Sequence, residues 1–170
     1  MKKLLLIIFL TITIDLSAEE KIETTDRFSL EGKVKNRLSF LLKDLNAFTP
    51  QFIDSVIIYN HLMVPKKTIK QIKGVLLKDI VDKAEIDVSN PKLLSEFYIT
   101  CIASDNYKVV FSWNEIYNTA IGEHIIIITE SNGNSGDQMP DRIALLSSSD
   151  RATGRRYVKG LQKIVIEQVK

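Results

Sequence analysis

The sequence predicts an α+β fold in which short antiparallel or mixed strands outnumber helices. Three observations predict it: several runs of β-branched and aromatic residues at strand length, one amphipathic stretch at helical spacing, and clusters of turn formers between them. The 170 residues are 45% hydrophobic and 26% charged, with seven Gly, four Pro and one Cys, a balance that excludes disordered, collagenous and disulfide-framework classes. A chain of this length holds one core without metal or disulfide staples and is short for two. Lys and Arg number 23 against 21 Asp and Glu. The resulting net charge of +2 is too small for the field that draws proteins onto nucleic acid without sequence preference, so no nucleic-acid partner is expected.

The N-terminus reads as a signal peptide over residues 1–18. Met1, Lys2 and Lys3 form a positive start, LLLIIFLTITI an apolar stretch, and Leu16-Ser17-Ala18 a small-residue end suited to cleavage after Ala18. Asp15 interrupts the apolar run well short of the roughly 20 residues that span a bilayer. The expected location is therefore periplasmic or secreted, with no integral membrane segment after cleavage. Residues 19–27 are expected to be a flexible lead-in, and 28–170 a single domain.

Along that domain FSLEGKV predicts a strand. Leu38 to Leu45 has helical spacing with Ser39 as N-cap, and Phe52 to Tyr59 predicts a strand from its β-branched and aromatic content. The stretch HLMVPKKTIKQIK, with Pro65 and several lysines, is expected to be an exposed connection. Residues 74–84 form the clearest predicted helix, with Leu76, Leu77, Ile80, Val81 and Ala84 on one face. EFYITCIAS and YKVVFSW flank Asp105-Asn106, a pair that suits a tight hairpin. One helical turn is expected at Asn114 to Tyr117, then a buried strand in HIIIITE. SNGNSGDQMP predicts a loop, Arg142 to Leu146 a short strand, SSSDRATGRR a second loop, and Lys163 to Val169 the last strand.

Chemistry-bearing residues are sparse. Two His and one Cys cannot assemble a Cys/His zinc site in one chain, and no phosphate loop, Ser-His-Asp set or HExxH motif is present. Alternation in FYITCIAS places Cys101 among core positions. Tyr107, Phe111 and Trp113 are also expected in the core, and Glu115 as a carboxylate favouring a helix N-terminus. Arg151, Arg155, Arg156 and Lys159 gather around Gly154 and Gly160; Arg156 and Lys159, three apart, would share one side of a helical turn. Guanidinium forks and ammonium groups of this kind hold phosphate. The same charges also suit a solvated loop in which some pair with Asp150 or Asp141.

Three segments in order, GVLLKDIVDKA, ASDNYKVVFSWNEI and RRYVKGLQKIVI, resemble the oxidoreductase molybdopterin-binding domain of the sulfite oxidase-like family, over roughly Phe28 to Val169. The resemblance implies that family's fold, molybdopterin as cofactor, and a place for Lys159 near the cofactor phosphate. In the family a cysteine thiolate ligates the metal. The corresponding stretch here, SVIIYNHL from Ser55 to Leu62, has none, and Asn60 and His61 are the polar residues it offers. The site residues expected on this reading are Arg155, Arg156, Lys159, Asn60 and His61, with no metal ligand and no catalytic group. The expected protein is an exported, non-catalytic domain that binds a small anionic, pterin-like ligand or a protein partner. The alternatives are a molybdopterin-dependent oxidoreductase acting on a small oxyanion or sulfoxide, and a structural partner of a membrane redox complex.

Overall fold

The computed structural model describes residues 25–170; the expected signal peptide and most of the expected lead-in lie outside them. In chain order the strands are β1 (Arg27–Gly32), β2 (Leu38–Leu41), β3 (Gln51–Tyr59), β4 (Pro65–Leu76), β5 (Phe97–Ala103), β6 (Lys108–Ser112), β7 (Ile125–Ser131), β8 (Asn134–Ser135), β9 (Ala144–Ser147), β10 (Tyr157–Lys159) and β11 (Leu161–Gln168). The α-helices are α1 (Leu77–Ala84) and α2 (Trp113–Tyr117), and short 3₁₀ turns fill several connections. The predicted α+β class is the one observed.

Two sheets divide the strands. The first runs β2-β1-β11-β5-β6, with β1 and β11 parallel and every other pair antiparallel. The second runs β10-β9-β7-β4-β3, with β8 added to β7, and is wholly antiparallel. They meet where β10 turns into β11: the Leu161 N–H donates to the Ile143 carbonyl at 2.7 Å and the Ser104 N–H to the Gly160 carbonyl at 2.9 Å. Thr25 ties the start of the described chain to the same place, its hydroxyl donating to the Leu161 carbonyl at 2.8 Å.

The apolar run HIIIITE is buried on both faces, as its composition predicts. Ile125 and Ile127 enter a main core between the sheets, with Phe28, Leu30, Ile99, Cys101, Phe111 and the buried face of α1. Ile126 and Ile128 enter a second core, under the β3–β4 hairpin, with Val56, Ile58, Ile69, Ile72 and Tyr157. Strand alternation repeats the division on β9, where Leu145 faces the main core and Leu146 the second.

Several expected boundaries move. Leu38–Leu41 is strand rather than helix, because Phe40 pairs across from Phe28 with ring centroids 5.4 Å apart, and that contact outweighs helical spacing. A 3₁₀ turn follows at Leu42–Ala47. Ser39 is no cap; the Leu41 N–H donates to Asp44 instead, at 2.8 Å. The predicted helix starts at Leu77, since Gly74, Val75 and Leu76 still pair with β7. Gly74 must be glycine there, because a Cβ would lie 2.5 Å from the Ile127 carbonyl oxygen. The expected connection after His61 is the longest strand, β4. The hairpin between β5 and β6 turns through four residues, with Asn106 at φ 63° and the Tyr107 N–H donating to Asp105 at 3.0 Å.

Candidate anion-binding cleft

Ala144 to Lys159 places the cationic segment against the end of the β3–β4 hairpin. Tyr157–Lys159 forms strand β10, in register Tyr157↔Leu146 and Lys159↔Ala144. Alternation therefore puts Tyr157 and Lys159 on one face and sends Val158 into the main core. This overturns the expected pairing of Arg156 with Lys159 through a helical turn.

The chain before β10 is held to β3 by one hydroxyl. Thr153 Oγ1 donates to the Ile57 carbonyl at 2.7 Å and accepts the Tyr59 N–H at 2.9 Å. Gly154 then passes so close to β3 that a Cβ would lie 2.7 Å from the Tyr59 carbonyl oxygen. Between these walls opens a cleft of about 670 Å³. The hairpin contributes Tyr59, Asn60, His61, Lys66 and Lys67, the facing wall Arg155, Tyr157 and Lys159, and the β5–β6 turn Tyr107.

Four cationic side chains, Lys66, Lys67, Arg155 and Lys159, line the cleft, and among the described residues no carboxylate does. Asp141 accepts the Tyr157 phenol at 2.6 Å and lies 3.8 Å from Lys67 Nζ. Burial, and then that hydrogen bond and charge, push the Tyr157 phenol well above its ordinary pKa, so it stays neutral. Its ring lies 5.1 Å from Lys67 Nζ and 5.9 Å from Lys159 Nζ, a cation–π floor for both lysines. Lys66, Arg155 and Lys159 make no ion pair among the described residues. Tyr107 braces the facing wall, its hydroxyl donating to the Arg155 carbonyl at 2.6 Å.

Of the expected site residues, the structure brings Arg155, Lys159, Asn60 and His61 to this cleft. Asn60 shapes it from within the turn, its Oδ1 accepting the N–H groups of Leu62 and Val64 at 3.0 and 2.9 Å. Arg156 points elsewhere. Its guanidinium makes a fork with Asp150 at 2.7 and 2.6 Å, reaches Glu115 at 2.9 Å and covers the Phe111 ring at 4.5 Å. Burial works against the charges on Glu115 and Asp150, but hydrogen bonds from Arg156 and from Ser112 and Ser147 outweigh it and hold both carboxyls below their ordinary range. Glu115 also closes a capping box with Ser112 at the start of α2, its expected place at a helix N-terminus.

Lys66, Lys67, Tyr107 and Tyr157 are cleft residues that sequence reasoning missed. The two lysines were hidden by the misread connection. Tyr157 could have been found from its position two before Lys159, once a strand was assumed. Tyr107 was expected in the core and is instead exposed at the cleft rim.

The cofactor implied by the family resemblance has a phosphate end and a metal end, and the cleft suits only the first. Lys66, Arg155 and Lys159, which make no ion pair among the described residues, are groups of the kind that hold a phosphate. No thiol lines the cleft: Cys101 sits in β5, wholly buried in the main core, and burial pushes its thiol pKa far up. Among the described residues no group of three His, Cys, Asp or Glu side chains could hold a metal ion.

No protein-family model and no curated protein matches the chain. Among solved structures it is similar to the sulfane dehydrogenase SoxCD from Paracoccus pantotrophus, with a TM-score of 0.61 and 14% identity over 87% of this chain. The chain spans 41% of the length of that protein. At such identity the likeness is one of fold alone.

Proposed function

We propose that this domain is an exported anion-binding module on an oxidoreductase-like scaffold, whose cleft takes a small phosphate-bearing, pterin-like ligand without metal redox chemistry. The observation that carries the reading is the convergence of Lys66, Lys67, Arg155 and Lys159 on a cleft that no carboxylate lines among the described residues. Two such cations on one phosphate give charge-assisted hydrogen bonds, which are shorter and stronger than those between neutral groups. The rings of Tyr107 and Tyr157 supply the flat apolar surface that a fused heterocycle needs. The N-terminal basic, apolar and small-residue pattern supports export to the periplasm.

The fold shared with a dehydrogenase favours a second reading, a molybdopterin-dependent oxidoreductase acting on a small oxyanion or sulfoxide. The donor set weighs against it, since a soft thiolate ligand is absent from the cleft. Elemental and pterin analysis of the protein purified from its native source separates the two. The proposal expects no stoichiometric molybdenum; molybdenum at one atom per chain overturns it. Fluorescence titration with a phosphorylated pterin and its dephosphorylated form tests the ligand class. Tighter binding of the phosphorylated form is expected, and equal or absent binding of both contradicts the proposal.

A further inference from the structure

We propose that the tip of the β3–β4 hairpin is a membrane-docking wedge for an anionic phospholipid surface. The tip residues Leu62, Met63 and Val64 are consecutive and 69%, 51% and 46% exposed. Among the described residues these three large apolar side chains belong to neither hydrophobic core, and none of them lines the cleft.

Two further features fit a bilayer interface. The first is backbone satisfaction. The Asn60 N–H donates to the Val64 carbonyl at 3.1 Å, the Met63 N–H donates to the Asn60 carbonyl at 3.0 Å, and Asn60 Oδ1 accepts the N–H groups of Leu62 and Val64. Pro65 has no N–H to satisfy. The tip can therefore leave water without stranding these donors, which is the condition a lipid environment imposes. The second is charge. Residues 55–73 contain Lys66, Lys67, Lys70, Lys73 and His61 but no Asp or Glu. Lys73 is paired with Glu130 and Lys67 lies near Asp141, while Lys66 and Lys70 make no ion pair among the described residues. An apolar tip with a basic shank is complementary to an anionic headgroup layer over an acyl boundary. A convex turn of consecutive apolar residues suits immersion in a fluid interface better than packing on a rigid acidic protein, which would need a preformed pocket for each side chain.

The test uses the full chain carrying Met63→Cys labelled with an environment-sensitive dye; the buried Cys101 leaves the tip as the labelling position. Vesicles of phosphatidylcholine with phosphatidylglycerol are expected to shift the dye to the blue, and phosphatidylcholine alone to shift it far less. Unlabelled Leu62→Asp/Val64→Asp and Lys66→Glu/Lys70→Glu chains, with native circular dichroism, are each expected to sediment with the anionic vesicles about tenfold more weakly or less. A dye that stays in water, or vesicle binding unchanged in both variants, overturns the proposal. A blue shift with soluble polyglutamate but not with vesicles also overturns it, in favour of an acidic protein partner. The Leu62→Asp/Val64→Asp pair changes no residue that lines the cleft, so its result does not touch the ligand reading, which rests in part on Lys66.

Discussion

Thr153 does with one hydroxyl what a pair of strands does with a ladder: it donates to Ile57 and accepts from Tyr59, residues 96 and 94 positions away. Replacing it by Val leaves a part-buried carbonyl and N–H unmatched, so Thr153→Val is expected to lower unfolding free energy by about 1 kcal/mol in chemical denaturation. Thr153→Ser keeps the hydroxyl and should recover most of that. Nothing local in SSSDRATGRR signals this role, because both partners lie on a strand far away in sequence. Cys101 is the opposite case. Alternation alone predicted its burial, and β5 places it between Ile164 of β11 and Val109 of β6. Its thiol is expected to resist an aromatic disulfide reagent in the native protein and to react fully in denaturant. Rapid reaction under native conditions would show that the strand opens to solvent.

At the scale of elements, β4 was illegible for a physical reason. Its buried residues Ile69 and Ile72 are three apart rather than two, because Gln71 takes a left-handed φ of 49° and shifts the alternation. Asn132 then serves the bent strand, its Oδ1 accepting the Lys70 N–H at 2.8 Å and its N–H donating to the Lys70 carbonyl at 2.7 Å. Such a bend, with lysines on the open side, reads as a loop when only period two is sought. The Arg156 hub joins β6, α2 and the segment after β9, and its sequence signal, a basic residue six after Asp150, is equally consistent with a ligand site. Arg156→Met is expected to lower unfolding free energy by about 2 kcal/mol at neutral pH, since two part-buried carboxylates lose their donor. The pH dependence follows from the lowered carboxyls. Their stabilisation is present above the ordinary values near 3.8 for Asp150 and 4.5 for Glu115 and is lost as pH falls through the lower folded-state values. The gap in melting temperature between wild type and Arg156→Met should therefore narrow below about pH 4. A gap that stays constant to pH 2 would mean that the carboxylates carry no charge-dependent stability.

For the whole molecule, the α+β class and most strands were legible because burial on two faces leaves continuous apolar runs, as in HIIIITE, and hairpins announce themselves through turn residues such as Asn106. The cleft was half legible. Of the residues singled out from composition and resemblance, Arg155, Lys159, Asn60 and His61 line the cleft and Arg156 does not, whereas Lys66, Lys67 and Tyr157 depended on pairings between distant strands. What the fold adds is a separation of two cationic roles within two adjacent residues: Arg155 faces the cleft and Arg156 holds the scaffold. That separation is the central claim, and one titration tests it. With a phosphorylated pterin as ligand, at a temperature where all chains are folded, Arg155→Ala/Lys159→Ala should weaken binding about tenfold or more, while Arg156→Ala should bind within about twofold of wild type. Equal losses in both variants, or a loss confined to Arg156→Ala, would contradict the account.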